Sequence, residues 1–254
     1  MTKIAVCGKG GSGKSSTVVL LANGLRERGY SVLVVDSDES NPGLYRLLGF
    51  EKRPDPLLDL VGGKKKVFAT LKKKPSGNIL TQEEIRTQDI PPQYMVERNG
   101  IRLVCVGKIL QSLEGCACPM GALNREFLKR LVLHENEVVL IDMEAGIEHF
   151  GRGIEQNVDS VIAVTEPSFD SLELAEKIHT LAREVGVRDS WALLNNVRSN
   201  DLASELRAGL EGKGIPVIGS IGYETEVFRA GLEGRPISSD DVSGDIGSIL
   251  DQLL

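Results

Sequence analysis

Four short stretches carry residue types able to act on a phosphate or to hold a metal. "CGKGGSGKSS" spaces Gly8, Gly13, Lys14 and Ser15 as G-x-x-x-x-G-K-S. In that pattern Gly8, Gly10, Gly11, Ser12 and Gly13 turn backbone N–H groups inward around phosphate oxygens. The Lys14 ammonium reaches the β and γ phosphates, and the Ser15 hydroxyl, followed by Ser16, ligates Mg²⁺. "VVDSDESNP" ends an apolar run in Asp36 and Asp38, and "VVLIDMEAG" ends another in Asp142. Carboxylates at strand ends suit the water shell of Mg²⁺ or the orientation of an attacking water. The bland alternative is that Asp36 and Asp38 are turn or helix-capping residues. Gly146 lets the loop after Asp142 follow a γ phosphate.

The fourth stretch, "LEGCACPMGAL", places Cys116 and Cys118 one residue apart ahead of Pro119. Proline suits the first position of a helix, so Cys118 is expected at the N-cap. The helix presents Met120, Leu123, Phe127 and Leu131 on its apolar face, with Asn124, Glu126 and Arg130 turned elsewhere. A helix N-terminus favours a thiolate. One C-x-C supplies two ligands of a tetrahedral site, and a twofold partner supplies the other two, giving four thiolates for Zn²⁺ or Ni²⁺. The bland alternative is a pair of small apolar residues under a loop.

These residues need elements to hold them. Short β-branched runs alternate with helix-length amphipathic stretches, so the fold class is α/β, a three-layer domain whose mostly parallel sheet has helices on both faces. The strands are expected at "KIAVC", "SVLVVD", "VVLID", "SVIAVT", "WALLNNV" and "PVIGSI". One domain spans residues 1–254, elaborated at about 51–106 by prolines and two lysine triplets, with the C-x-C loop at about 113–119. Asn99-Gly100 between two strand-like runs predicts a hairpin with Cys105 on its second strand. The lysine triplets read as a solvated face.

The formal charge of -6 argues against nucleic acid as a partner. No signal segment or membrane-spanning run is seen, so the protein is expected in the cytoplasm, with its four cysteines reduced and no membrane partner. Cys7 and Cys105 read as buried structural thiols. Of the three histidines, His134 and His179 read as ordinary helix residues and His149 as a surface or hydrogen-bonded one.

Lys9, directly after the first glycine, turns the phosphate loop into the deviant form K-G-G-x-G-K-S. Here the sequence resembles the MinD/ParA/nitrogenase iron protein class of P-loop ATPases. The resemblance implies that Lys9 crosses a homodimer interface to the partner's nucleotide. It also implies ATP/ADP and Mg²⁺ as cofactors, Asp38 as the water-positioning carboxylate, Asp36 in the magnesium shell and Asp142 behind it. An asparagine of "LLNNV", Asn195 or Asn196, reads the adenine edge, and motif position favours Asn195. "IGYETEVFRAGLEGRPI", with Tyr223, resembles the segment covering the base from the other side.

"EGCACPMGAL" and "DMEAGIEHFGRG", together with "ERNGIRLVCVGKI", resemble the CooC-type ATPases, nickel-insertion factors for carbon monoxide dehydrogenase, and their relatives serving acetyl-CoA synthase. That implies an ATP-hydrolysing metallochaperone, a homodimer that closes with nucleotide and metal and serves a client nickel enzyme. Three other readings compete. A MinD- or ParA-like spatial switch is disfavoured by an end, "SGDIGSILDQLL", without lysine or arginine. An iron-sulfur electron donor is disfavoured by adjacent rather than separated cysteines. A purely structural zinc clasp would use the same ligands.

Overall fold

The computed structural model describes residues 1–73, 79–108, 118–238 and 243–254. The described strands form one eight-stranded sheet, ordered β3-β4-β2-β5-β1-β6-β7-β8. They are β1 (Thr2–Gly8), β2 (Ser31–Asp36), β3 (Met95–Arg98), β4 (Ile101–Cys105), β5 (Glu137–Asp142), β6 (Ser160–Thr165), β7 (Asp189–Val197) and β8 (Val217–Gly222). Every pairing is parallel except the edge pair β3 and β4. That pair is the expected hairpin: Arg98 faces Ile101 across Asn99 (φ 51°) and Gly100 (φ 78°), the two positive φ angles a tight primed turn needs.

Two layers of helix cover the sheet because its strands are apolar on both faces. Ile4, Val6, Val34 and Leu140 pack with α1 (Lys14–Glu27) and α9 (Ser243–Leu253) on one side. Their neighbours Ala5, Cys7, Val35 and Ile141 pack with α5 (Cys118–Arg130) and α6 (Phe169–Glu184) on the other. Strand alternation alone produces this split. Helix α7 (Asn200–Glu211) packs against β7 and β8, and α8 (Thr225–Glu233) follows β8. The apolar residues of α9, Ile246, Ile249 and Leu250, are buried. Among the described residues no helix is long and apolar enough to cross a membrane.

The region from 51 to 106 holds more helix than its lysine triplets suggested. After α2 (Leu44–Leu47), the chain forms α3 (Leu57–Leu60) and α4 (Gly63–Lys73), and α4 exposes Lys65, Lys66, Lys72 and Lys73 while burying Val67. Helix α5 begins at Cys118, one residue before the expected start. Its Met120, Leu123 and Phe127 are buried as expected, but so is Asn124, at 1% exposure, which the apolar pattern had turned away from the core. Its Nδ2 finds a buried partner in Ser37 Oγ, while its Oδ1 is buried with no partner among the described residues. His134 lies between α5 and β5 rather than on a helix.

Strand β5 sits between β2 and β1, at the centre of the sheet. Its fully buried Leu140 packs against α1's face, so Leu140→Ala is expected to lower stability by about 2–5 kcal/mol. The urea midpoint should fall with an unchanged slope, and an unchanged midpoint would contradict the packing described.

Candidate functional site

Parallel strands deliver their carboxyl ends to one edge of the sheet. The register places Asp36 of β2 opposite Asp142 of β5, and Asp142 opposite Val6 of β1. Gly8 ends β1 with φ 145° and with no space for a side chain, since a Cβ there would stand 2.5 Å from the Val164 carbonyl oxygen. The loop then turns through Ser12 N–H to Lys9 O (3.2 Å) and enters α1 from Gly13, held at φ 92°. The buried Lys14 ammonium donates to Lys9 O at 3.1 Å, arching over the loop. Ser15 Oγ donates to Asp142 Oδ2 at 2.7 Å. This hollow of backbone N–H groups at a helix N-terminus, with a lysine over it, suits polyphosphate.

The acidic edge is crowded. Burial pushes the Asp36 carboxyl up to about 6 against the opposing pull of Lys108. Burial, then the nearby Asp36 charge, pushes Asp142 up to about 7, although the Ser15 hydrogen bond opposes this. Asp142 Oδ1 and Ser12 Oγ are buried without a protein partner among the described residues. An orphaned carboxylate oxygen beside a serine hydroxyl fits a hydrated divalent cation. The residues therefore fit magnesium nucleotide.

Three polar residues that the motifs did not single out complete this edge. The buried Lys108 ammonium donates to Asp36 Oδ1 at 2.7 Å and to the carbonyl oxygens of Asp38 and Asn41. Asn41 Nδ2 donates to Ser15 Oγ at 2.8 Å. Asn124 Nδ2 donates to Ser37 Oγ at 2.6 Å. Asp38 accepts at Oδ1 from Ser40 N–H, Ser40 Oγ and Asn41 N–H, so in this structure it builds the turn, and Asp36 faces a lysine. An isolated lysine two residues past an apolar strand was the only signal for Lys108.

The lysine and asparagine assignments fall as follows. Lys9 is part-exposed and lies 3.5 Å from Glu166 and from Asp170. Asn195 donates from Nδ2 to Ser12 O at 2.7 Å, so its amide nitrogen braces the phosphate loop. Asn196, at φ 59°, joins Asn195, Gly13, Ser16, Val227 and Phe228 around a cavity of about 290 Å³ beside that loop. Tyr223 stands outside that lining, under Arg198 and tilted against Phe228. Of the cysteine pair, Cys116 and most of the C-x-C loop lie outside the described residues. Cys118 is exposed at the start of α5.

On the sheet's other face, directly below Gly8, the side chains of Cys7, His149 and Glu155 bring their Sγ, ring nitrogen and carboxylate oxygen within 4.8 Å of one another. The donor types suit a soft metal, yet both ring nitrogens are engaged: Nδ1 with Glu155 Oε1, and Nε2 with Gly146 O at 3.0 Å. Burial by itself would lower the His149 pKa, but the neighbouring Cys7 and Glu155 outweigh it and raise it to about 10. Burial pushes the Cys7 thiol up as well. An imidazolium donates from both nitrogens, Nδ1 to the Glu155 carboxylate and Nε2 to the Gly146 carbonyl. Of the two alternatives, surface or hydrogen-bonded, His149 is the hydrogen-bonded one, fully buried, and it grips the loop carrying Gly146, whose N–H donates to Gly8 O at 3.2 Å.

A histidine pKa raised on folding adds stability that is complete below the unfolded value near 6.5 and is lost as pH rises through about 10. Wild-type stability is expected to decline from about pH 8 to 10 more steeply than that of His149→Gln, measured by urea unfolding at each pH. Parallel profiles would remove the charged pair.

Comparison with known proteins agrees with this geometry. Residues 3–237 match the CobQ/CobB/MinD/ParA nucleotide binding domain. An uncharacterized ATP-binding protein of Methanocaldococcus jannaschii is 41% identical over 240 residues, covering 94% of each chain. The carbon monoxide dehydrogenase accessory protein CooC of Rhodospirillum rubrum is 35% identical over 240 residues, covering 91% of this chain and 88% of that one. Among solved structures, the septum site-determining protein MinD with Mg-ADP from Pyrococcus horikoshii superposes with a TM-score of 0.69 at 17% identity, over 99% of this chain and 95% of that one. The phosphate loop, the paired strand-end aspartates and the extent of these matches lead to one conclusion: the chain belongs to the CobQ/CobB/MinD/ParA family of nucleotide-binding P-loop ATPases.

Proposed function

We propose that this protein is an ATP-hydrolysing metallochaperone that carries nickel, or zinc in its place, at a site made by Cys116 and Cys118 of two copies. Its client is a nickel enzyme, carbon monoxide dehydrogenase or acetyl-CoA synthase, and it works in the cytoplasm. The observation that carries the reading is the 35% identity to CooC of Rhodospirillum rubrum across nine-tenths of the chain. The exposed Cys118 at the start of α5 supports it, because a helix N-terminus lowers a thiol pKa and prepares a metal ligand. Metal capture requires the reduced form of that thiol. We further take the chain as one P-loop unit elaborated at about 51–106.

In this reading Lys14 neutralises the β and γ phosphates, while Lys9 leaves Glu166 and Asp170 to reach the partner's nucleotide. The Asp38 carboxylate orients the attacking water once its turn opens. Ser15 and Asp36 would hold magnesium, with Asp38 in the same region and Asp142 behind them, and the ion when bound would supply charge neutralisation on the phosphates. Asn196, and Asn195 from its place against the loop, read adenine, with the start of α8 and Tyr223 on the other side. The imidazolium of His149 keeps Gly146 placed beside the γ-phosphate position.

The reading is tested by metal analysis and sedimentation of the reduced protein with a non-hydrolysable ATP analogue, beside Cys116→Ser/Cys118→Ser. One Ni²⁺ or Zn²⁺ per two chains is expected in the wild type and none in the variant. Lys9→Ala should bind ADP normally yet fail to dimerise and lose at least about 100-fold in turnover, the scale of a charge supplied across an interface. Full metal loading in the cysteine variant would overturn the metal role, and normal turnover in Lys9→Ala the dimer role.

A further inference from the structure

The loop from Asp36 to Asn41 is tied at every side to something the proposed cycle must move. At the nucleotide it reaches Ser15 through Asn41 Nδ2, which holds a lone pair of the hydroxyl for which a magnesium ion competes. At β4 it is gripped by Lys108, whose buried ammonium binds Asp36 Oδ1, Asp38 O and Asn41 O together. At α5 it is joined by Asn124 Nδ2 to Ser37 Oγ, both atoms buried. At the loop after β5 Glu39 stands 3.6 Å from Arg152, which also pairs with Glu144 at 2.7 Å.

Packing leaves these ties little slack. A Cβ on Gly107, next to Lys108, would come to 2.6 Å from Met120 Sδ of α5. One on Gly121 of α5 would come to 2.5 Å from Arg152 Cδ. Gly107, the chain neighbour of Lys108, therefore lies against the first turn of α5, while Lys108 and Asn124 of α5 both hold the same loop. Lys108 offers three donors to exactly the kind of oxygen cluster a divalent cation also takes, so its grip depends on where Asp36, Asp38 and Asn41 stand.

We propose that Lys108 is a positioning residue which, together with Asn124, couples the magnesium end of the nucleotide site to the start of α5. When magnesium nucleotide engages Ser15 and Asp36, Asn41 leaves the Ser15 hydroxyl and the three oxygens around Lys108 rearrange. Lys108 and Asn124 carry that rearrangement to α5, whose first residue is Cys118. The effect on metal binding rests on the function proposed above; the movement of α5 does not. Coupling of this kind is reciprocal, so metal at Cys118 changes nucleotide affinity by the same factor.

The test uses full-length reduced wild type, Lys108→Met and Asn124→Leu, with folding checked by circular dichroism. Hydrogen exchange of the α5 amides from Gly121 to Phe127 is followed with and without Mg-ADP. The wild type should show a change in α5 exchange of about fivefold or more, and both variants a change within about twofold, while still binding ADP. The Asn124→Leu variant removes no charge, so it keeps the test valid if Lys108→Met does not fold. An unaltered α5 in the wild type, or a full response in the folded variants, would overturn the inference. In parallel, Ni²⁺ affinity is measured with and without a non-hydrolysable ATP analogue. A nucleotide-dependent affinity in the wild type that becomes independent in the variants extends the coupling to the metal. Absence of cysteine-dependent Ni²⁺ binding in the wild type, with the α5 response intact, would count against the metallochaperone reading and leave the coupling standing.

Discussion

The site depends on keeping several carboxylates together in a poorly solvated place. Asp36 and Asp142 are register partners on adjacent parallel strands, and Asp38 follows two residues on. Uncompensated charges there would be costly, since burial removes the water that would screen them. The chain answers with cations and donors delivered from elsewhere in the sequence: Lys108 on Asp36, Ser15 on Asp142, and Ser40 with the Asn41 N–H on Asp38. Removing one partner of such a buried pair usually harms more than the pair helps. The arrangement is thus better understood as poised for an incoming cation than as a source of stability.

The same economy governs the opposite face of the sheet. Strand alternation sends Val6 toward α1 and Cys7 toward α5, so the two residues before Gly8 serve different layers. Under the phosphate loop, the His149–Glu155 ion pair fixes the carbonyl of Gly146 while the N–H of Gly146 binds Gly8 O. The phosphate loop and the loop after Asp142 are therefore joined through backbone at Gly8 and Gly146, and the buried charge pair braces the second loop from within. A group arriving at the phosphate loop meets a loop already held in place, which lowers the ordering required on binding.

Much of this was legible in the residue pattern. Apolar β-branched runs ending in Gly8, Asp36, Asp142 and Asn195 located strands at the sheet and their polar ends at one edge, because parallel crossover units deliver every strand in the same direction. Asn99-Gly100 defined its hairpin through backbone chirality alone. The role of Asp38 as turn builder was an open alternative of the local sequence, and hydrogen bonds to Ser40 and Asn41 are what the structure displays. Lys108, Asn124 and Glu155 were not legible. They stand 72, 87 and 6 residues from the partners they bind, Asp36, Ser37 and His149, and a lysine, an asparagine and a glutamate are ordinarily surface residues.

The sequence by itself determined the elements and the phosphate chemistry, because periodicity, glycine conformations and the G-x-x-x-x-G-K-S spacing act over a few neighbouring residues. Tertiary structure alone decided which polar side chains were buried together. Lys108 on Asp36 and Asn124 on Ser37 each join segments whose approach is set by sheet order and helix packing, whereas His149 meets Glu155 and Gly146 within the one loop between β5 and β6, which the fold buries. Their burial follows from having found a partner, and nothing local to any one of those residues records that a partner exists.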